Sequence, residues 1–220
     1  MADQQAEVEW RDGVPVSTRF SDPYYSLDDG LAEARHVFLD GNRLPERLRP
    51  GLHVAELGVG TGLNLLALMA LVRASGRGPV RYTGFEAFPL AAPEMRRALA
   101  AFPDLAADAA LLVGAREAGE PLRTDEIEAE FILGDARATL RNWRGRADAW
   151  FLDGFAPARN PELWEPALLA EVAGHTSPGG TAATYSAAGG VRRGLEAGGF
   201  AVERRRGFGR KRHMTVAWLP

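Results

Sequence analysis

A chain of 220 residues with 46% apolar and 25% charged side chains has the material for one globular domain with a core and a small extension. The net charge of -3 gives no global attraction to nucleic acid or membrane. The absence of cysteine excludes a disulfide framework, a thiol nucleophile and a thiolate-held metal, and four scattered histidines lack the spacing of a metal site.

In chain order, residues 1–10 are acidic and polar, unlike a targeting peptide. The longest apolar run, 63–72, falls short of the roughly 20 residues a bilayer span needs. A cytoplasmic protein without membrane contact is therefore the expectation. Residues 1–50 read as an N-terminal extension packing on a pocket. In it Asp28, Asp29 and Gly30 precede a short amphipathic helix over 31–39, and Pro45 and Pro50 close the segment. From Gly51 the pattern turns regular, with a strand at 52–57, a helix at 63–73, a strand at 80–85 and a helix at about 91–101. Between 104 and 129 it blurs: 104–112 allows a helix, and 114–130 reads as an acidic surface excursion before a third strand at 130–133.

A helix at 136–143, a strand at 147–152 and a helix at 161–175 come next. A strand at 181–185, a helix at 191–197 and two paired strands at 200–206 and 213–219 complete the chain. Strand–helix alternation predicts an α/β, Rossmann-like domain over 51–220, with a mostly parallel sheet and an antiparallel hairpin at one edge.

The first regular strand runs into Glu56-Leu57-Gly58-Val59-Gly60-Thr61-Gly62-Leu63-Asn64. Glycines between a strand and a helix let the backbone turn sharply and let a ligand approach without a Cβ in the way. Loop glycines without a ligand are common, so the placement carries the argument. The spacing is G-x-G-x-G rather than the dinucleotide fingerprint G-x-G-x-x-G, which needs glycine where Leu63 stands. Glu56 disfavours a pyrophosphate and suits a ligand with an ammonium and a sulfonium, such as S-adenosyl-L-methionine. The second strand ends in Glu86, where such folds offer a carboxylate to ribose hydroxyls. The third ends in Asp135, placed to accept from an adenine amino group. Each acid alone reads as a cap or a turn residue. Three at successive strand ends mark a cofactor pocket, because ligands of open α/β sheets bind at the strands' carboxyl ends.

The fourth strand leads into Asp153-Gly154-Phe155-Ala156-Pro157. Asp153 is placed to accept a hydrogen bond from a substrate amine and to stabilise the charge that develops on alkylation, and Phe155 to pack against a base. The alternative makes Asp153 a turn residue and Phe155 part of the core. Two rival functions stay open at this point: a methyltransferase of a small molecule or protein, and a non-catalytic nucleotide-binding module.

The segment from Phe151 through Asp153-Gly154-Phe155-Ala156-Pro157-Ala158-Arg159-Asn160-Pro161 to Trp164 resembles the methyltransferase domain of the bifunctional tRNA-modification family MnmC and its stand-alone MnmD relatives. The blocks Gly58–Asn64, Phe85-Glu86-Ala87-Phe88-Pro89, Val191-Arg192-Arg193-Gly194-Leu195, Gly207-Phe208-Gly209-Arg210-Lys211-Arg212 and Tyr25-Ser26 with Gly30-Leu31-Ala32-Glu33 are similar too, so the resemblance spans nearly the whole chain. It implies methylation of the aminomethyl nitrogen of 5-aminomethyl-2-thiouridine at wobble position 34 of tRNA. It places Glu56, Gly58, Gly60, Gly62, Asn64, Glu86 and Asp135 at the cofactor, Asp153 at the amine, and Tyr25, Ser26 and Glu33 as closing the pocket. No FAD is expected here, and a separate FAD-dependent oxidoreductase would be a partner. Val59 stands where the family has an aromatic. The basic run Arg192, Arg193, Arg204, Arg205, Arg206, Arg210, Lys211 and Arg212 is a solvated face on its own terms. With the resemblance, Arg192, Arg193, Arg210, Lys211 and Arg212 are expected to bind tRNA phosphates.

Overall fold

The computed structural model describes residues 5–220, so the first four residues of the extension expected over 1–50 lie outside the described residues. The core of the fold is an eight-stranded sheet. Its central strands are β4 (His53–Leu57), β5 (Val80–Glu86), β7 (Ile127–Leu133), β8 (Ala147–Leu152) and β9 (Thr176–Thr184). These run parallel in the order β9-β8-β4-β5-β7. β10 (Ala201–Arg206) and β11 (His213–Trp218) form an antiparallel pair that joins β9 at one edge. The two-residue β6 (Leu122–Arg123) lies antiparallel to β7 at the other edge, so both edges are antiparallel where one was expected.

Alternating side chains of each central strand feed two apolar layers, one on each face. Val54, Tyr82, Ala149 and Phe151 belong to one layer, and Ala55, Phe85, Trp150 and Leu152 to the other. Helix α3 (Leu63–Ser75) fills the first layer with Leu65, Leu66, Leu68 and Met69, all fully buried. Left-handed glycines end it on both sides, Gly62 before it and Gly76 after it. Helix α4 (Ala92–Leu99) turns Met95, Ala98 and Leu99 inward.

The segment expected as an acidic excursion is a correction. Helix α5 runs unbroken over Ala106–Ala118, β6 follows it, and β7 starts at Ile127 rather than at Glu130. Buried Ala109, Leu112 and Val113 dock the helix, and Gly119 in a left-handed conformation stops it. Gly114 reads as a break only if that apolar stripe is ignored. Arg73 holds the region together by pairing with Asp108 at 2.7 Å and Glu126 at 2.8 Å. Helix α6 (Ala136–Asn142) matches its expected span to within a residue. The helix expected over 161–175 divides into a short 3-10 turn, Pro161–Trp164, and α7 (Pro166–Gly174). Pro166 disfavours helical backbone in the residue before it, and Glu165 is extended at ψ 138°. Helix α8 (Gly189–Ala197) lies against α7.

The first fifty residues hold more structure than expected. β1 (Val8–Arg11), β2 (Val14–Ser17) and β3 (Asp22–Pro23) make a small antiparallel sheet. Asp12 and Gly13 close its hairpin, both at positive φ (49° and 81°), which is the two-residue turn chemistry that suits a right-handed strand twist. Trp10 fastens β1 to α4 by donating to Glu94 at 2.9 Å, with Arg97 over its ring at 3.9 Å. The helix expected over 31–39 is α1 (Gly30–Ala34), capped by the Asp29 side chain, followed by a wider π turn over Arg35–Asp40. Val37, Phe38 and Leu39 enter the main core. Asn42, fully buried, donates to the carbonyls of Phe38 and Trp150 and accepts from Thr181. The second half of the extension is thereby built into the sheet domain.

Among the described residues no helix is long and apolar enough to cross a membrane, and no group of three acids or histidines is placed to hold a metal.

Candidate active site

Strand order reverses at β4: β5 and β7 extend the sheet on one side, β8 and β9 on the other. Loops leaving the two inner strands must diverge there and open a crevice at the strands' carboxyl ends. Main-chain hydrogen bonds pin those loops. Gly58 N donates to Phe85 O at 2.9 Å, Asp153 N to Leu57 O at 3.0 Å, and Gly134 N to Glu86 O at 2.8 Å. The crevice is a cavity of about 1990 Å³. Gly58, Gly60, Asn64, Glu86, Asp135, Asp153 and Phe155 line it, as do Tyr25, Ser26, Glu33, Arg210 and Lys211.

Gly58 and Gly60 hold φ at +85° and +54°, a region that side chains disfavour. A Cβ on Gly58 would sit 2.3 Å from the carbonyl oxygen of Asp153, and one on Gly60 3.0 Å from the ring of Tyr24. Glu86 accepts from Gly60 N at 2.9 Å and from Phe88 N at 2.8 Å, so its carboxylate is fixed at the end of β5. Burial raises its pKa, and those backbone donors oppose the rise.

Glu56 does not reach the cavity wall. It is fully buried beneath the glycine turn, where Asn64 Nδ2 donates to it at 2.6 Å and the Tyr82 hydroxyl donates to it as well. The same Asn64 nitrogen donates to Asp153 Oδ2 at 2.6 Å, so one amide holds two carboxylates. Burial and then the charge of Asp153 push Glu56 well above the usual carboxylate range. Gly62 also lies off the wall, packed on Leu112. Its place is structural, at the start of α3.

Asp153 opens partly into the cavity. Burial raises its pKa to about 7, Glu33 adds to the rise, and the Asn64 hydrogen bond and Lys211 oppose it. Asp135 lines the cavity but also caps α6, accepting from Arg137 N at 2.9 Å and pairing with the Arg137 guanidinium at 2.7 Å, which lowers its pKa. Tyr25 turns its hydroxyl away, donating to Ala98 O at 3.1 Å.

The basic segment separates in space. Lys211 points inward, its Nζ 2.7 Å from Glu33 and 3.9 Å from the centre of the Tyr185 ring. Arg210 and Lys211 are exposed but line the cavity, whereas Arg212 and Arg193, also exposed, do not. Arg192 has its Nε buried without a hydrogen-bond partner among the described residues.

Several wall residues are not singled out by the sequence, although Phe88 stands in one of the blocks that resemble the family. Phe20, Tyr24 and Phe88 line the cavity beside Phe155. Leu133 lies on the wall yet is 57% exposed, an apolar surface beside Asp135. The Tyr185 hydroxyl donates to Gly154 O at 2.7 Å and stiffens the Asp153 loop. The Asp12-Gly13 pair was a legible hairpin signal, whereas nothing local announces which cavity a distant aromatic lines.

Comparison with known proteins agrees with this geometry. The profile of a family described as S-adenosyl-L-methionine-dependent methyltransferases matches residues 110–220. A protein of Pseudomonas aeruginosa named "tRNA 5-methylaminomethyl-2-thiouridine biosynthesis bifunctional protein MnmC" is 44% identical over 96% of the chain, which covers 34% of that protein. The protein of that name from Caulobacter vibrioides is 44% identical over 96% of the chain, covering 38% of its own length. The chain thus spans about a third of the length of these relatives. The crystal structure of MNMC2 from Aquifex aeolicus aligns with 97% of the chain and 70% of its own length, at a TM-score of 0.79 and 25% identity. A precorrin-6y C5,15-methyltransferase from Geobacter metallireducens shares the fold, at a TM-score of 0.53 and 14% identity over 94% of the chain and 95% of its own length.

Proposed function

Because the chain belongs to the family of S-adenosyl-L-methionine-dependent methyltransferases, we propose that it methylates the primary aminomethyl nitrogen of 5-aminomethyl-2-thiouridine at tRNA wobble position 34, producing 5-methylaminomethyl-2-thiouridine. The observation that carries this reading is Asp153, held by Asn64 at the mouth of β8 with a pKa near 7. The printed names of the most similar relatives, which concern this nucleoside in tRNA, support the choice of substrate.

The glycine turn leaves room beside β4, and Glu86 faces that space with an acid fixed by two backbone donors. This set fits a ligand bearing ribose hydroxyls, and the apolar Leu133 surface fits a flat ring. Gly58, Gly60, Glu86, Leu133 and Asp135 are the residues that would hold the cofactor. When bound, S-adenosyl-L-methionine supplies an electrophilic methyl group on a sulfonium.

The chain's own residues then act on the substrate amine. Asp153 Oδ2 is occupied by Asn64, and its other oxygen takes no hydrogen bond from the described residues, so it is free to accept from the amine. That bond aims the nitrogen lone pair and offsets the positive charge that grows on nitrogen as it is alkylated. A carboxyl group with a pKa near 7 also takes the released proton at neutral pH. Tyr185 and Asn64 keep the Asp153 loop in place.

In this reading the first part of the described extension closes one side of the pocket, and its second half joins 51–220 in the catalytic fold. A tRNA substrate implies a cytoplasmic location, and an FAD-dependent oxidoreductase would supply the primary amine. The test is to incubate the protein with tRNA bearing the aminomethyl group and isotopically labelled S-adenosyl-L-methionine, then to analyse the wobble nucleoside by mass spectrometry. Label in 5-methylaminomethyl-2-thiouridine is the expected result. Label elsewhere in the tRNA, or none, overturns the proposal.

A further inference from the structure

The turn between β2 and β3 carries an aromatic and a cation side by side, and the chemistry above uses neither. Phe20 stacks on Phe155, with ring centres 4.9 Å apart and planes 29° from parallel. Phe88 meets Phe20 edge-on at 5.7 Å, and Tyr24 meets Phe155 edge-on at 5.1 Å. The exposed Arg19 guanidinium lies 4.5 Å from the centre of Phe88 and 5.7 Å from that of Phe20. All five side chains line the cavity, and the four rings are only half-buried. Apolar rings at an open cavity, instead of in a core, mark a surface for a flat ligand.

The turn is held unevenly. At its base, Asp22 accepts from Ala156 N at 2.8 Å, which ties β3 to the Asp153 loop. At its tip the bonds are long: Phe20 N donates to Ser17 Oγ at 3.2 Å, and Arg159 donates to Phe20 O at 3.4 Å. A ring can enter between Phe20 and Phe155 only if the tip, tied also through Thr18 N to Glu7 O at 3.1 Å, lifts while the base stays fixed.

We propose that Phe20 and Phe155 are the two plates of a slot for the pyrimidine of the substrate nucleotide, with Arg19 at the rim for an adjoining phosphate. The slot rests on the tRNA reading above and gives it a place for the base. Phe155 follows Asp153 by two residues on the same loop and both line the cavity, so a pyrimidine stacked on Phe155 is held on the side of that carboxylate. Stacking is tolerant of the base and needs only flat π faces. Arg19 adds the charge that single-stranded nucleic acid requires beside the aromatic plates.

The experiment uses an anticodon stem-loop bearing the aminomethyl uridine, and it measures RNA Kd, S-adenosyl-L-methionine Kd and the KM-against-kcat split. Phe20→Ala should raise RNA Kd and KM by about 10-fold, the size expected for one base–aromatic stack. Its affinity for S-adenosyl-L-methionine should not change. Phe20→Leu keeps the apolar volume and removes the π face, so it should resemble Ala, while Phe20→Trp should restore binding. Arg19→Ala should reduce the salt slope of RNA binding by about one unit. Wild-type RNA affinity in Phe20→Leu overturns the slot while leaving the tRNA reading intact. A wild-type protein that does not bind the stem-loop overturns both.

Discussion

The two walls of the cavity differ in kind. The sheet wall consists of strand ends, with carboxylates at Glu86, Asp135 and Asp153 and a glycine turn, and main-chain hydrogen bonds between neighbouring loops hold it. The opposite wall consists of side chains, Phe20, Tyr24 and Glu33 from the N-terminal extension with Lys211 from the segment between β10 and β11, anchored through contacts such as Asp22 to Ala156. Sheet ladders constrain position to fractions of an ångström, whereas a turn tip held by long bonds is constrained less. Chemistry that needs an aligned carboxylate belongs on the first wall, and admission of a bulky nucleotide belongs on the second.

If the sheet wall binds the cofactor, its most severe lesion is Gly60→Val. The backbone there has φ +54°, and a Cβ would already lie 3.0 Å from the Tyr24 ring. S-adenosyl-L-methionine should no longer raise the thermal midpoint of the variant. A wild-type shift would place the cofactor elsewhere and remove the division of labour between the walls.

Next in size is Asp153→Asn, which should depress turnover by roughly 10²-fold or more while cofactor affinity changes less. If Asp153 accepts from the amine, its ionised carboxylate is the active form, so the rate should rise with pH through about 7, and the variant should lose that inflection. Stability carries the opposite sign. A carboxyl whose pKa rises from 3.8 unfolded to about 7 folded binds its proton more tightly in the native state, so wild-type stability falls as pH climbs across that window. Asp153→Asn should therefore be relatively more stable at pH 8 than at pH 4. Thermal melts at the two pH values check this, and equal effects at both would mean that the buried carboxyl is not strained.

The smallest effects test the inward lysine. Glu33 raises the pKa of Asp153 and Lys211 lowers it, so Glu33→Gln should move the rate inflection to lower pH and Lys211→Met to higher pH. Lys211→Met should hardly change the salt slope of RNA binding, because Glu33 already occupies its ammonium. A pair of alanines at Arg210 and Arg212 should lower that slope by up to about 2 units if both contact phosphates. A full unit lost with Lys211 alone would show that it swings out to the RNA, and the two walls would then share the substrate differently.

The sequence alone determined the alternation of strands and helices over 51–103 and from 136 onward, the glycine turn, and the acids at the strand ends. Each follows from local rules: side-chain periodicity, backbone angles that glycine permits, and the side-chain caps of helices. Only the tertiary structure decided which acids face the cavity. Glu56 and Glu86 both lie at strand ends, yet Glu56 turns beneath the loop to Asn64 and Tyr82 while Glu86 faces the cavity. It also decided that Lys211, which reads as one more cation in a basic run, pairs with an acid 178 residues earlier in the chain. Phe20 and Phe155 meet across 135 positions for the same reason. Where a long side chain ends depends on what the rest of the chain packs around it, and a pattern read over ten residues holds no trace of that.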